Sequence, residues 1–184
     1  MDNQIIKQLA AYESGVITDA MYLLGLDQWM TGVLPLKKDY RMCGRAFTIK
    51  YTQGVCGEAI EPLGVYAVLE QLKPGDVVVM QVGVTDGAIL GDNLVTFAER
   101  RGAAGVVLDA PTRDSTNILK LNTPCFTAGR HLRVAKEMVI SAFQVPVLCG
   151  GIIVNPGDYI VGDIDGVMAV PENRAQDVLY QAER

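Results

Sequence analysis

Two short segments carry residues whose types and spacing could do chemistry. One is Gly91-Asp92-Asn93-Leu94, which reads as the opening of a helix after a glycine-bearing loop with Gly83 and Gly87. Free backbone N–H groups at a helix start favour an anion. The other is Arg113-Asp114, just beyond the next apolar run. A guanidinium there could grip a carboxylate in two-pronged fashion, and the neighbouring aspartate could hold a hard cation. Both segments also admit a plain reading, and on spacing alone it is the stronger one. Asp92 would then be a simple N-cap, Arg113 a surface arginine, and Asp114 the cap of a short helix through Ile118 and Leu119.

Other chemistries find less support. The glycines at 83, 87 and 91 follow a G-x-x-x-G-x-x-x-G spacing, not the G-x-G-x-x-G that a dinucleotide pyrophosphate needs. No G-x-S-x-G elbow is present, so a serine hydrolase has no nucleophile. His131 is the sole histidine and cannot alone build a zinc site or a triad. Cys43, Cys56, Cys125 and Cys149 are scattered without a C-x-x-C pair, which argues against structural zinc and a disulfide framework. Cys125, following Pro124 in a β-run, reads as buried rather than nucleophilic.

The elements that must position these residues form a mixed α/β pattern. Residues 4 to 24 read as two helices stopped by Gly25, followed by a strand over Arg45 to Tyr51 and a helix from Glu61 to Leu72. The turn Lys73-Pro74-Gly75-Asp76 opens the apolar run Val77 to Met80, which suits a strand covered on both faces. A helix from Asp92 to Arg101 ends at Gly102, and Gly105 to Leu108 forms a second buried strand. Parallel strands joined by that helix would bring the Gly91 loop and Arg113-Asp114 to one sheet edge, where α/β folds bind ligands. Pro124–Thr127, Val145–Leu148, Ile152–Val154, Tyr159–Val161 and Val167–Val170 read as further strands. Pro156-Gly157-Asp158 repeats the Pro74-Gly75-Asp76 turn, and Glu172 to Arg184 reads as a closing helix.

At 184 residues and 19.9 kDa the chain has the length of one domain, able to bury roughly 70% of its unfolded surface. A composition 49% hydrophobic and 20% charged excludes disorder. The net charge of −5, with no basic run, argues against a nucleic-acid partner. Met138 to Gly157 carries no charge, but prolines and glycines interrupt it, so no membrane span is expected. Without a signal-peptide pattern at its start, the chain is expected to be a soluble, cytoplasmic protein.

These pieces together resemble the RraA-like family, named for a regulator of ribonuclease activity, and its metal-dependent relatives, the 4-hydroxy-4-methyl-2-oxoglutarate aldolases. The aldolase branch is marked by an Asp, twenty intervening residues, then Arg-Asp, as Asp92, Arg113 and Asp114 stand here. Thr18-Asp19-Ala20, Lys73 to Val78, Gly91 to Leu94, Arg101-Gly102 and Gly105 to Val107 match as well. So do Val145 to Val147, Gly150-Gly151, Pro156 to Asp158, Asp163 to Val167, and Val170-Pro171.

The resemblance implies a single domain over residues 1–184 with a ββα sandwich of the swivelling-domain type. It implies homotrimers or dimers of trimers with sites between subunits. The Gly91, Asp92, Asn93 and Leu94 amides and Arg113 would hold a small 2-oxo acid. Asp114 would bind a divalent metal, Mg²⁺ foremost with Mn²⁺ also suited. Asp92 would position a water or the substrate, with Asp92 and Arg113 the catalytic pair. The implied reaction is metal-dependent retro-aldol cleavage of a 4-hydroxy-2-oxo acid to pyruvate, with oxaloacetate decarboxylation through the same enolate. An acidic residue from a neighbouring subunit is also implied, with Glu172 and Glu183 as the candidates. The alternative is a non-catalytic member that binds and inhibits a ribonuclease, a branch that typically lacks the Asp after the Arg. The methyltransferase label carried by some relatives has no methyl-donor site here.

Overall fold

The computed structural model describes residues 2–54 and 64–184. Its strands are β1 (Leu34–Pro35), β2 (Met42–Gln53), β3 (Asp76–Gln81), β4 (Gly105–Leu108), β5 (Cys125–Thr127), β6 (Met138–Phe143), β7 (Val147–Cys149), β8 (Ile152–Val154), β9 (Tyr159–Asp163) and β10 (Gly166–Val170). Its helices are α1 (Asp2–Leu9), α2 (Ser14–Leu23), α3 (Val65–Leu69), α4 (Asp92–Arg100), α5 (Ser115–Ile118) and α6 (Ala175–Ala182). The start expected at Glu61 for α3 and the position of Cys56 lie outside the described residues.

The run Val77 to Met80 is fully buried, as a strand covered on both faces must be. It lies at the centre of a parallel set, β2-β3-β4-β5, with β9 and β10 continuing antiparallel beyond β2. β2 is longer than its sequence pattern predicts because one edge serves two partners. Met42–Arg45 pair with β9 and Ile49–Gln53 with β6, across a register shift at Lys50/Tyr51. The far edges almost meet. Trp29 bridges Met168 of β10, the Met30 amide donates to Val167, and five residues on Leu34 pairs with Thr127 of β5. The sheet therefore curls into a nearly closed barrel around an apolar interior of Val77, Val79, Val107 and Phe126.

A second core joins the helices to the sheet. Ile5, Leu9, Ile17, Met21, Val178 and Leu179 from α1, α2 and α6 cover Tyr159, Val161, Met168 and Val170 of β9 and β10. Asp163 fastens this layer, since its carboxylate accepts the Ser14 amide at 2.9 Å and the Asp165 amide at 3.0 Å. The closing helix is shorter than its pattern predicts, because Glu172–Arg174 form a 3₁₀ turn before α6. No helix among the described residues is long and apolar enough to cross a membrane.

The crossover that positions the site runs β3, α4, β4. Helix α4 stops at Gly102, whose φ of 80° needs glycine, and the Gly102 carbonyl accepts the Gly75 amide at 2.8 Å. Glu99 of α4 accepts the amides of Asn122 and Thr123 at 2.7 and 2.8 Å. That contact fixes the entry to β5 and the height of α4 above the sheet.

Candidate functional site

The loops leaving β3, β4 and β5 are laced side by side through Thr112. This residue is fully buried, and its hydroxyl donates to the Leu90 carbonyl at 2.8 Å. Its amide donates to Gly129 at 3.0 Å, and its carbonyl accepts the His131 amide at 2.9 Å. The Arg113 amide in turn donates to Leu90 at 2.9 Å. Parallel bridges Leu90–Thr112 and Thr112–Arg130 thus carry the strand order of the sheet past its C-terminal edge.

The root of the first loop is held separately. Asp109, at the end of β4, accepts the Val82 and Gly83 amides at 2.6 and 3.1 Å. Burial pushes its carboxyl above the ordinary aspartate range, against the lowering effect of those amides. Further along, Gly87 lies so close to the Arg133 carbonyl that a Cβ would sit 2.6 Å from it. Only glycine lets the two loops run this near each other.

The lacing brings Gly91 against Arg113 and Asp114. A Cβ on Gly91 would lie 2.9 Å from Asp114 Oδ2 and 3.8 Å from Arg113 Nε. Gly91 is the N-cap of α4, in an extended conformation and with no side chain capping the helix. The first amides of α4, from Asp92 to Leu94, therefore have no intrahelical acceptor. Arg113 Nε and Asp114 Oδ2 form an ion pair at 3.2 Å in which both side chains stay about two-fifths exposed.

Two sequence expectations about capping are corrected. Asp92 is the first helical residue of α4 rather than its cap, and its carboxylate accepts the Asn117 side-chain amide at 2.8 Å. Asp114 does occupy the cap position of α5, but its side chain does not cap. It adopts the left-handed conformation, φ 58° and ψ 29°, and turns its carboxylate toward Arg113. Asp and Asn are the non-glycine residues that tolerate this region best, which suits an aspartate at this corner.

Of the remaining sequence candidates, Asn93 is exposed and the Leu94 side chain is buried, so each can offer the site its backbone amide. His131 is exposed, and its Nδ1 is occupied by the Arg133 amide at 3.1 Å. Cys125 is fully buried, and burial drives its thiol far above the ordinary range, as expected for an inert cysteine. Glu172 pairs with Arg45 of its own chain at 2.7 Å, whereas Glu183 is exposed near the chain end. No group of three His, Cys, Asp or Glu side chains positioned for a metal exists among the described residues. Sequence reasoning missed Thr112 and Asn117. The only signal for either was its place beside the Arg113-Asp114 pair.

A family model described as Aldolase/RraA matches residues 15–169. The chain belongs to the RraA-like family. It is 33% identical over 180 residues to a Halalkalibacterium halodurans protein named "Putative 4-hydroxy-4-methyl-2-oxoglutarate aldolase", covering 97% of this chain and 82% of that relative. Among solved structures, Streptomyces coelicolor RraAS2 is described as an unusual member of the RNase ES inhibitor RraA protein family. It shares 31% identity and a TM-score of 0.89 over 100% of this chain and 92% of its own. An uncharacterized protein from Pseudomonas syringae pv. tomato gives 29% identity and a TM-score of 0.85, over 98% and 86% of the two chains. The ββα architecture expected from the sequence is thus the fold of this RraA-like chain.

Proposed function

We propose that this RraA-like chain is a divalent-metal-dependent carbon–carbon lyase. It would cleave a 4-hydroxy-2-oxo acid such as 4-hydroxy-4-methyl-2-oxoglutarate to pyruvate, and decarboxylate oxaloacetate through the same enolate. The observation carrying this reading is the packing of Gly91 against the Arg113–Asp114 pair. It sets uncapped helix amides, a guanidinium and a carboxylate around one spot.

In this reading the amides of Asp92 to Leu94 and the Arg113 guanidinium bind the substrate carboxylate and 2-oxo oxygen. The Asp92 carboxylate takes the 4-hydroxyl proton, directly or through one water. The C3–C4 bond then breaks as the C4 oxygen becomes a carbonyl, and its electron pair passes to C3 to give pyruvate enolate. Arg113 stands where that negative charge develops. Protonation at C3 completes pyruvate.

Asp114 is the residue to hold the metal. An accessible carboxylate, with no group of three His, Cys, Asp or Glu side chains placed for a metal among the described residues, suits Mg²⁺, which keeps several of its waters, and Mn²⁺ takes the same oxygen donors. When bound, the cation supplies Lewis-acid polarisation of the 2-oxo group. The same reading has the chain assemble as a homotrimer or dimer of trimers with sites between subunits, and places it in the cytoplasm.

The test is Asp114→Asn, which keeps a residue tolerant of the left-handed corner and removes the charge. It is expected to abolish metal-dependent pyruvate release while the assembly, followed by sedimentation, is unchanged. Full turnover in that variant refutes the proposal. The similarity to RraAS2 favours one second reading, a non-catalytic protein that binds a ribonuclease. Capture of a ribonuclease by a chain inactive on every 2-oxo acid would establish it instead.

A further inference from the structure

We infer that Asn117 is a positioning residue for Asp92, an inference that rests on the lyase reading above. The side chain reaches from α5, the helix that Asp114 opens, to the first turn of α4, which carries Asp92. Its Nδ2 donates to Asp92 Oδ2 at 2.8 Å, and its Oδ1 accepts the Lys120 ammonium at 3.3 Å. Its backbone amide donates to the Asp114 carbonyl at 2.9 Å. Each partner fixes the amide's orientation independently, because a carboxylate only accepts and an ammonium only donates. The amide cannot turn over without losing both bonds.

Three consequences follow from this arrangement. One oxygen of Asp92 is occupied, so the other is left for substrate or water and the carboxylate plane is set. The Lys120 charge polarises the amide and strengthens its N–H donor toward Asp92. The backbone bond closes the turn that follows Asp114, so the side chain reaching Asp92 is carried on the same short helix that Asp114 opens. Asp92 sits in the first turn of α4 with no side chain of its own helix to orient it. The orientation comes from α5, a helix of four residues.

A merely structural tie would act on folding, whereas a positioning residue acts on turnover at constant substrate binding. Asn117→Ala is expected to lower kcat about 10- to 100-fold, because a proton acceptor displaced by an ångström loses that order of rate. KM for the 2-oxo acid and the Kd for oxalate, a mimic of the enolate, should stay within about twofold, since the α4 amides and Arg113 remain. Asn117→Asp, of the same shape but facing Asp92 with a negative oxygen, should lose at least as much kcat. Asn117→Gln, which keeps the donor on a longer arm, should recover part of it. Unchanged kcat in folded Asn117→Ala overturns the inference, and so does a fall in melting temperature with full kcat in the folded protein. Equal losses in Asn117→Gln and Asn117→Ala would also overturn it. A wild-type chain silent on all 2-oxo acids overturns the lyase reading itself, a failure distinct from that of Asn117 alone.

Discussion

A methyl group on Gly91 separates the claims about fold from those about the site. Gly91 is extended, φ −126° and ψ 178°, so alanine meets no backbone strain there. Its Cβ would lie 2.9 Å from Asp114 Oδ2, against an ordinary contact of 3.4 Å or more, so the carboxylate must withdraw by about 0.5 Å. That atom is the free end of a side chain, and the Arg113–Asp114 pair it disturbs is two-fifths exposed. Such a pair is worth under about 1 kcal/mol. Loss of glycine at the N-cap adds a comparable cost, partly offset by the stiffer unfolded chain. The total is about 1 kcal/mol, or roughly 2–4 °C in melting temperature for a chain of this length.

Activity should respond far more strongly. The added carbon stands among the α4 amides, Arg113 and Asp114, and kcat/KM is expected to fall about 10- to 100-fold. Coupled pyruvate release and calorimetric melting on the same preparations make the comparison. Gly15→Ala, in α2 with nothing within 4 Å, is the control that should keep full activity. Full activity in Gly91→Ala would show that this corner is not where substrate sits. A loss of more than about 10 °C would show that the clash is not relieved at the carboxylate, and would refute the packing argument.

Three further outcomes are expected. Arg113→Lys keeps the charge but loses the two-pronged guanidinium, so KM for the 2-oxo acid should rise about tenfold with a smaller change in kcat, read from initial rates. Asp163→Ala leaves the Ser14 and Asp165 amides without their acceptor and should cost about 1–3 kcal/mol at neutral pH by urea unfolding. Burial raises the Asp163 carboxyl, but hydrogen bonds from Ser14 and Asp165 and the Arg41 charge leave it below the ordinary aspartate value. Its contribution is therefore fully present above the unfolded-chain pKa and lost as pH falls through the folded one, so the gap between wild type and variant should narrow below about pH 4. Cys125 and Cys149 are buried with thiols raised by burial, and peptide mapping after brief alkylation of native protein at pH 8 should find neither labelled.

Much of the fold was legible because local signals agreed with the global arrangement. Val77 to Met80 suits a doubly covered strand and is one, and Gly102 after two arginines matches the helix end it forms. β6 was not legible. It pairs along one half of β2 while its own residues are mostly half-buried, so no strict alternation marks it. β1 is two residues long and exists only because the chain must carry the sheet from β10 back to β5.

The site divides in the same way. Arg113, Asp114 and the Gly91 loop stood out by residue type and by lying beyond neighbouring parallel strands. Their contact depends on Thr112, whose hydroxyl and backbone lace three loops, and on the left-handed turn at Asp114. Neither a buried threonine nor a positive φ at aspartate leaves a periodic trace in a sequence. Asn117 is hidden for a related reason, since its partner Asp92 lies 25 residues away.

The central claim is that the Gly91, Arg113 and Asp114 corner generates pyruvate enolate with the help of a divalent cation. The most direct test is pyruvate release by the wild-type chain from oxaloacetate and from 4-hydroxy-4-methyl-2-oxoglutarate, with Mg²⁺ and with excess EDTA. Pyruvate formed from either substrate with Mg²⁺ and abolished by EDTA is the predicted result. Turnover undiminished in EDTA, or no pyruvate from either substrate by folded protein, would contradict it.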